Sequence, residues 1–322
     1  FFTLDSTIPQ INFTFPTPAN DSFFNDSDSV YVNISITDSS PTSTFVDWNN
    51  SMVLWLQMDE SNSTDVFDNS SYGHNALIYG ASKTSNGILG GAFAFDGDND
   101  YLLVPNSQDF NFSDAYTIGA WVKVDDFSVS SQHFVISRYD WNSPSSGYGV
   151  MITSTSIRCD FNGALGVLTT SGYNFGDGKW HYVGCVYDGT NLAPFSDGNI
   201  GSSAQRAGLI ERNTHVYLGR PPDSSSSTYH FNGSMDNIMM FNRALGAQEI
   251  AAIYNSTADN YYHNFTDLTD GNYTYTAYVQ DYAGNVNLTT RSFETVVAPS
   301  ATVNYPVDNN ITNQTSINFT LD

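Results

Sequence analysis

The stretch TIGAWVKV (117–124) alternates with period two and is rich in β-branched and aromatic residues, and HYVGCVY (181–187) repeats the pattern. Alternation at that period sends successive side chains to opposite faces of an extended chain, so both read as strands. VYVNISIT (30–37), HFVISRY (133–139) and YTYTAYVQ (273–280) follow the same rule, with Gly, Asn, Asp and Ser clusters between them. One segment reads as a helix, Ala247 to Tyr254, with Gly246 as its N-cap and Glu249 at the third position of a capping box. The expected fold class is all-β with one short helix.

A length of 322 residues suggests two or three domains. With 33 acidic and 10 basic side chains the formal net charge is −23, which leaves no basic patch for a nucleic-acid partner. No run of 18 apolar residues is present, so this segment contains no predicted helical membrane span. The opening FFTLDSTIPQ is strand-like without a basic n-region, so an export signal is expected to have been removed or to lie outside this segment.

Asn-x-Ser/Thr sequons begin at Asn12, Asn20, Asn25, Asn33, Asn49, Asn62, Asn69, Asn111, Asn232, Asn255, Asn264, Asn272, Asn287, Asn310, Asn313 and Asn318. Chance at this composition gives about seven. The excess points to an extracellular or cell-surface chain carrying N-linked glycans; the competing reading is that an Asn- and Ser-rich sequence generates sequons by itself. Cys159 and Cys185 are the two cysteines, in the strand-like segments SIRCDF and HYVGCVYD. Outside the cell such a pair more often bridges than stays reduced, the alternative being two buried thiols.

The chain also echoes itself. FFTLDSTIPQINFTFP (1–16) resembles SFETVVAPSATVNYP (292–306): Pro9 and Pro16 match Pro299 and Pro306, both 290 residues on. SVYVNISITD (29–38) is echoed by TSINFTLD (315–322). The expectation is a tandem array, or subunits joined head to tail with one donating a strand to the next.

Six pieces, in order, resemble the laminin-G-like jelly roll of the concanavalin A-like lectin and glucanase superfamily. They are VLWLQMDE (53–60), DNSSYGHNALIYGA (68–81), GGAFAFDGDNDYLLVP (90–105), FSDAYTIGAWVKVDD (112–126), DGKWHYVGCVYDG (177–189) with FSDG (195–198), and FNGSMDNIMMFNRALGAQEIAAIYN (231–255). Trp121 and Trp180 are expected to be core anchors. The flanks resemble an immunoglobulin-like module of bacterial and archaeal surface proteins. LTDGNYTYTAYVQDYAGNVNLTTRSFETV (268–297) supplies its closing hairpin, and 11–38 with the segment reaching Trp48 its opening strands. The resemblances imply an immunoglobulin-like β-sandwich with an inserted jelly roll. Residues 1–8 are the last strand of a preceding module plus linker, and 9–50 the first part of the immunoglobulin-like domain. The jelly roll occupies 51–257, the second part of the sandwich 258–297, and the first strands of a next module 298–322.

Catalysis finds little footing. The glucanase pattern needs Glu-x-Asp-x-Glu or a close variant on one strand, and the four glutamates, Glu60, Glu211, Glu249 and Glu294, form none. The six histidines are scattered and no GxSxG or glycine-rich phosphate loop occurs. The resemblance implies a structural Ca²⁺, with Asp236 at the family's calcium-binding position and Asp68 and Asn75 adding oxygens; the alternative is that Asp68 and Asp236 cap turns. For sugar, SRYDWNSPSSGYG (137–149) offers Tyr139, Trp141 and Tyr148, exposed aromatics if the loop stands out and packing residues if it folds back. The leading reading is a non-enzymatic, glycosylated extracellular structural protein, one repeating unit of a surface filament, stalk or layer whose partners are copies of itself. The second is a carbohydrate-binding adhesin that holds external polysaccharide on the jelly roll.

Overall fold

A computed structural model describes residues 5–25, 29–128, 130–139, 146–162, 164–168, 172–206, 208, 213–221, 229–255 and 260–296. The expected strands of a following module (298–322), the sequons at Asn310, Asn313 and Asn318, and Trp141 lie outside the described residues. The chain begins with β1 (Gln10–Thr14), β2 (Ser22–Asn25), β3 (Val30–Thr37) and β4 (Thr42–Trp48). Then come β5 (Met52–Ser61), β6 (Asp65–Asp68), β7 (Ala76–Tyr79), β8 (Ser82–Thr84), β9 (Ala92–Asp96), β10 (Tyr101–Val104), β11 (Tyr116–Val124), β12 (Gln132–Tyr139) and β13 (Gly147–Thr153). β14 (Ile157–Phe161), β15 (Ala164–Leu168), β16 (His181–Tyr187), β17 (Asn191–Ser196), β18 (Asn199–Ile200), β19 (Ala204–Gln205), β20 (Val216–Leu218) and β21 (Asn232–Phe241) follow. Helix α1 (Ala247–Tyr254), β22 (Asn260–Phe265), β23 (Gly271–Asp281) and β24 (Val286–Val296) complete the order.

The two ends of the described chain build one small sandwich. β1–β3–β22 form one sheet and β2–β24–β23–β4 the other, so Ile34 faces Tyr261 and Val46 faces Ala277 across more than 200 residues of intervening chain. In VYVNISIT the alternate residues Val30, Val32, Ile34 and Ile36 turn inward onto Trp48, Tyr275 and Phe293. Trp48 stacks on Phe265 with ring centroids 3.9 Å apart. The chain leaves this sandwich through a tight reversal. Asn49 and Asn50 are left-handed (φ 57° and 50°), and the buried Asp47 carboxylate accepts from the Ser51 and Met52 amides at 2.8 and 3.0 Å.

Residues 52–254 form a jelly roll of two packed sheets. The first runs β6–β7–β10–β20–β12–β13–β14–β15. The second sets β5 and β9 beside β21, then β11, β16 and β17. Inward side chains such as Leu102, Ile136, Val150 and Leu218 of the first sheet meet Ile118, Val122, Val183 and Met240 of the second. Cys159 on β14 and Cys185 on β16 are joined by a disulfide, which staples the two sheets through this core.

The outer face of the second sheet is also apolar, and it is covered. Trp55, Trp121, Tyr182, Phe195 and Met239 pack under Ile250 and Ile253 of α1 and under Phe45 and Tyr278 of the small sandwich. α1 has the predicted bounds, and the Glu249 carboxylate accepts from the Gly246 amide at 2.9 Å. Arg243 grips both oxygens of that carboxylate at 2.9 and 2.6 Å, which fixes the helix against the end of β21. Trp121 is a core anchor, as expected; Trp180 is partly buried against the same cluster.

The bridge closes a 26-residue span. Replacing both cysteines by alanine is expected to lower the free energy of unfolding by about 3 kcal/mol, read in urea melts, with an unchanged far-ultraviolet dichroism spectrum.

Candidate functional site

With the outer face of the second sheet covered, the outer face of the first sheet at β7, β10 and β20 remains exposed to solvent. Antiparallel register sets Tyr101 opposite Tyr79, and Leu103 opposite Leu77 on one side and Tyr217 on the other. Because Leu102, Val104, Val216 and Leu218 fill the core, period two sends Tyr101, Leu103 and Tyr217 outward. Tyr79 and Tyr101 stack with centroids 4.5 Å apart and planes 6° from parallel, and Tyr217 lies 6.2 Å from Tyr101. Tyr79 is 42% exposed, the other two half-buried. The Arg220 guanidinium rests over both Tyr101 (4.5 Å) and Tyr217 (4.8 Å), 8% exposed, its Nε donating to the Pro221 carbonyl at 2.9 Å. His215 stands at the rim, where its Nδ1 accepts from the Asn106 amide at 3.1 Å. In this ladder Tyr101 has Tyr79 on one ring face and Arg220 on the other, so the outer face of Tyr79 is the ring face free to stack on a sugar, beside a fixed cation.

The row continues across the sheet from Tyr217 to Ser137, Gly149 and Asp160. Here the structure departs from the expected sugar-stacking residues, Tyr139 and Tyr148, both of which are buried. Tyr139 is 3% exposed, because Gly149 leaves a gap that its ring occupies: a Cβ at Gly149 would come within 3.4 Å of the ring. Phe134, Met151 and Tyr229 pack around it. Tyr148 is fully buried. Alternation turns it into the core, against Phe112 and Tyr116, with its hydroxyl donating to the Phe110 carbonyl at 3.1 Å. Neither ring presents a face to solvent.

The three expected calcium ligands divide into two places. Asp68 and Asn75 come together, the Asn75 side-chain oxygen accepting from the Asp68 amide at 3.0 Å. The Asp68 carboxylate accepts from the Trp55, Ser70 and His74 amides and the Ser70 hydroxyl, the arrangement of a capped turn. Asp236, on β21, is fully buried and accepts from the Ile88 amide at 2.8 Å and the Asn237 side chain at 3.2 Å. Burial drives its carboxyl well above the usual range, and the charge of Asp59 adds to the rise. Asp59, which sequence reasoning missed, is itself pushed up to about 6 by burial. Both carboxylates press on the loop Gly87–Gly91. A Cβ at Gly87 would stand 2.6 Å from an Asp236 oxygen, and one at Gly90 2.2 Å from an Asp59 oxygen. The loop meets both carboxylates with its amides, those of Ile88 and Leu89 donating to Asp236 and that of Gly91 to Asp59.

A further acidic group lies where the small sandwich meets the jelly roll. Ligand atoms of Asp5, Asp38 and Asp281 fall within 4.8 Å of one another. Its carboxylates are engaged locally: Asp5 takes the Ser40 hydroxyl, Asp38 the Ser40 amide, and Asp281 the Ala283 and Asn285 amides. Asp5, Ser40, Asp59, Lys83 and Tyr282 line an open groove of about 970 Å³ beside it.

Residues 96–251 match the family model Laminin_G_3, of the concanavalin A-like lectin/glucanases superfamily. Among solved structures, the binding domain of botulinum neurotoxin serotype D/C aligns at a TM-score of 0.52 and 16% identity, over 65% of this chain and 53% of that one. The binding domain of Paraclostridial Mosquitocidal Protein 1 aligns at 0.51 and 16%, over 65% and 52%. Botulinum neurotoxin type C aligns at 0.51 and 18%, with the same coverage of 65% and 52%. The alignments span about half of those chains, and at this identity they establish the jelly-roll fold. No curated protein matches the chain.

The outward row of the first sheet ends in a buried titratable group. Burial lifts the Asp160 carboxyl to about 6 against the pull of Arg158, whose Nε lies 2.7 Å away. A folded value above the unfolded one means that the contribution to stability is complete below about pH 4 and is lost as pH rises through 6. Relative to Asp160→Asn, the wild type should therefore gain melting temperature as pH is lowered from 7 to 4, read by differential scanning fluorimetry.

Proposed function

We propose that this chain is a carbohydrate-binding segment of an extracellular surface protein. The jelly roll binds the saccharide, and the small sandwich, read as an immunoglobulin-like module, carries it. One observation bears most of the weight. The second sheet's outer face is sealed by α1 and the small sandwich, while the first sheet's outer face presents Tyr79, Tyr101 and Tyr217 around Arg220. A pyranose stacks its C–H face on the free face of Tyr79, which Tyr101 backs from the other side, and the guanidinium donates to hydroxyl or carboxylate oxygens. Cell entry of botulinum neurotoxin type C, one of the fold's neighbours, is dependent upon interaction with two ganglioside molecules, which supports a sugar-bearing ligand for this architecture.

The reading is binding rather than catalysis, since Glu249 is committed to its helix cap and Arg243. Ca²⁺ belongs to the same proposal as a structural ion held by Asp236 and Asp59, where its charge would offset two buried carboxylates. The echo between the first and last strands of the sequence supports a place in a series of similar modules, with further copies as neighbours.

A glycan array probed with the purified chain tests the assignment. Tyr101→Ala should lose at least tenfold in apparent affinity for whatever saccharide the wild type selects, with an unchanged dichroism spectrum; full retention overturns the face. For the ion, melting temperature should rise by several degrees between chelator and millimolar Ca²⁺ in the wild type and stay flat in Asp236→Asn.

A further inference from the structure

The sequons are not spread evenly, and the fold turns their distribution into a surface. Of the 33 asparagines, 11 lie between Ser70 and Phe231, and one of these, Asn111, begins a sequon. The other 22 begin 15. A uniform rate would put about five in the central stretch. Seven of the eight strands of the open sheet, β7, β10, β12, β13, β14, β15 and β20, come from that stretch, and none contains a sequon. Asn111 follows the short 3₁₀ turn Gln108–Phe110 rather than a strand. In the small sandwich every strand except β4 contains a sequon asparagine.

Side-chain geometry sorts the sequons further. Asn12, Asn49 and Asn272 are exposed on the small sandwich, as are Asn62 on the β5–β6 turn and Asn255 at the end of α1. Asn33 and Asn287 differ, for their amide nitrogens donate to the carbonyls of Phe15 (3.0 Å) and Pro9 (2.8 Å). Glycosylation joins that nitrogen to the anomeric carbon of a phosphate-activated oligosaccharide. The sugar–phosphate bond breaks, the phosphate group leaves, and the amide gives up one proton. At Asn33 and Asn287 the nitrogen is half-buried against a carbonyl, so the folded chain leaves less room there for a glycan than at the exposed sites.

We propose that N-linked glycans clothe the small sandwich and the turns nearest it, and that the outer face of the first sheet is kept bare so that an external saccharide can reach the tyrosines. A glycan is bulky and strongly hydrated, so one on any open-sheet strand would occupy the space above the rings. The inference rests on the carbohydrate-binding reading and adds to it which face the chain's own sugars leave free.

The full chain, secreted from a host that performs N-glycosylation, supplies the test by peptide mass mapping and glycan-array binding. Occupancy is expected at Asn12, Asn49 and Asn272 and not at Asn33 or Asn287; a chain with every sequon empty, or with Asn33 and Asn287 filled, overturns the coat. Two single substitutions then place glycans beside the platform. Ser82→Asn creates a sequon completed by Lys83 and Thr84, three residues from Tyr79, and His215→Thr creates a sequon at Asn213 on the opposite rim. Once mass spectrometry shows either site filled, binding should fall at least tenfold and return after enzymatic removal of the glycans. Undiminished binding by both filled variants, where Tyr101→Ala has lost it, overturns the bare-face inference alone. If Tyr101→Ala also binds fully, the carbohydrate face itself is wrong.

Discussion

The constraint on which the architecture depends is an apolar sheet face that cannot be left wet. Trp55, Trp121, Tyr182, Phe195 and Met239 form a contiguous patch on the outside of the second sheet, large enough to drive association if exposed. One helix and one corner of the small sandwich remove it from water. Phe45 meets Trp55 edge-on at 5.0 Å and stacks on Tyr278 at 5.2 Å, so the two halves share a core as well as a connection. That choice leaves the outer face of the first sheet at β7, β10 and β20, with Tyr79, Tyr101 and Tyr217, to meet solvent.

The junction is held by polar contacts as well. The Gln57 side chain donates to the Gly284 carbonyl at 3.1 Å, and Gln280 donates to Asp59 at 2.6 Å. Gly284 has to be glycine twice over: its φ is 88°, and a Cβ would come within 2.7 Å of the Asp59 carboxyl carbon. Such contacts fix the angle between sandwich and jelly roll.

Charge is distributed to the same end. In a chain of net charge −23, the site is built around a cation, Arg220, held between two tyrosine rings and out of bulk water. A guanidinium so placed gives up little conformational freedom on binding. Two acidic groups lie away from it: Asp236 and Asp59 against the Gly87–Gly91 loop, and Asp5, Asp38 and Asp281 at the junction.

The alternation in TIGAWVKV and HYVGCVY, the capping pair Gly246 and Glu249, and the ordered jelly-roll segments made the all-β fold and its one helix legible from the chain alone, because periodicity and capping are local. The candidate face was not legible in that way. Tyr139 and Tyr148 looked as available as Tyr79 and Tyr101, and what separates them is register. Gly149 opposite one sheet neighbour opens space for Tyr139, while inward phase buries Tyr148. The alternation in YLLV (101–104) and VYL (216–218) could have turned Tyr101 and Tyr217 outward, yet nothing local says which face a distant helix will cover. Asp59 escaped notice for the same reason, since its partner Asp236 lies far along the chain and only sheet pairing brings the two to one loop. Local pattern determined which residues are strand and helix; long-range packing decided which of their surfaces remained to meet another molecule.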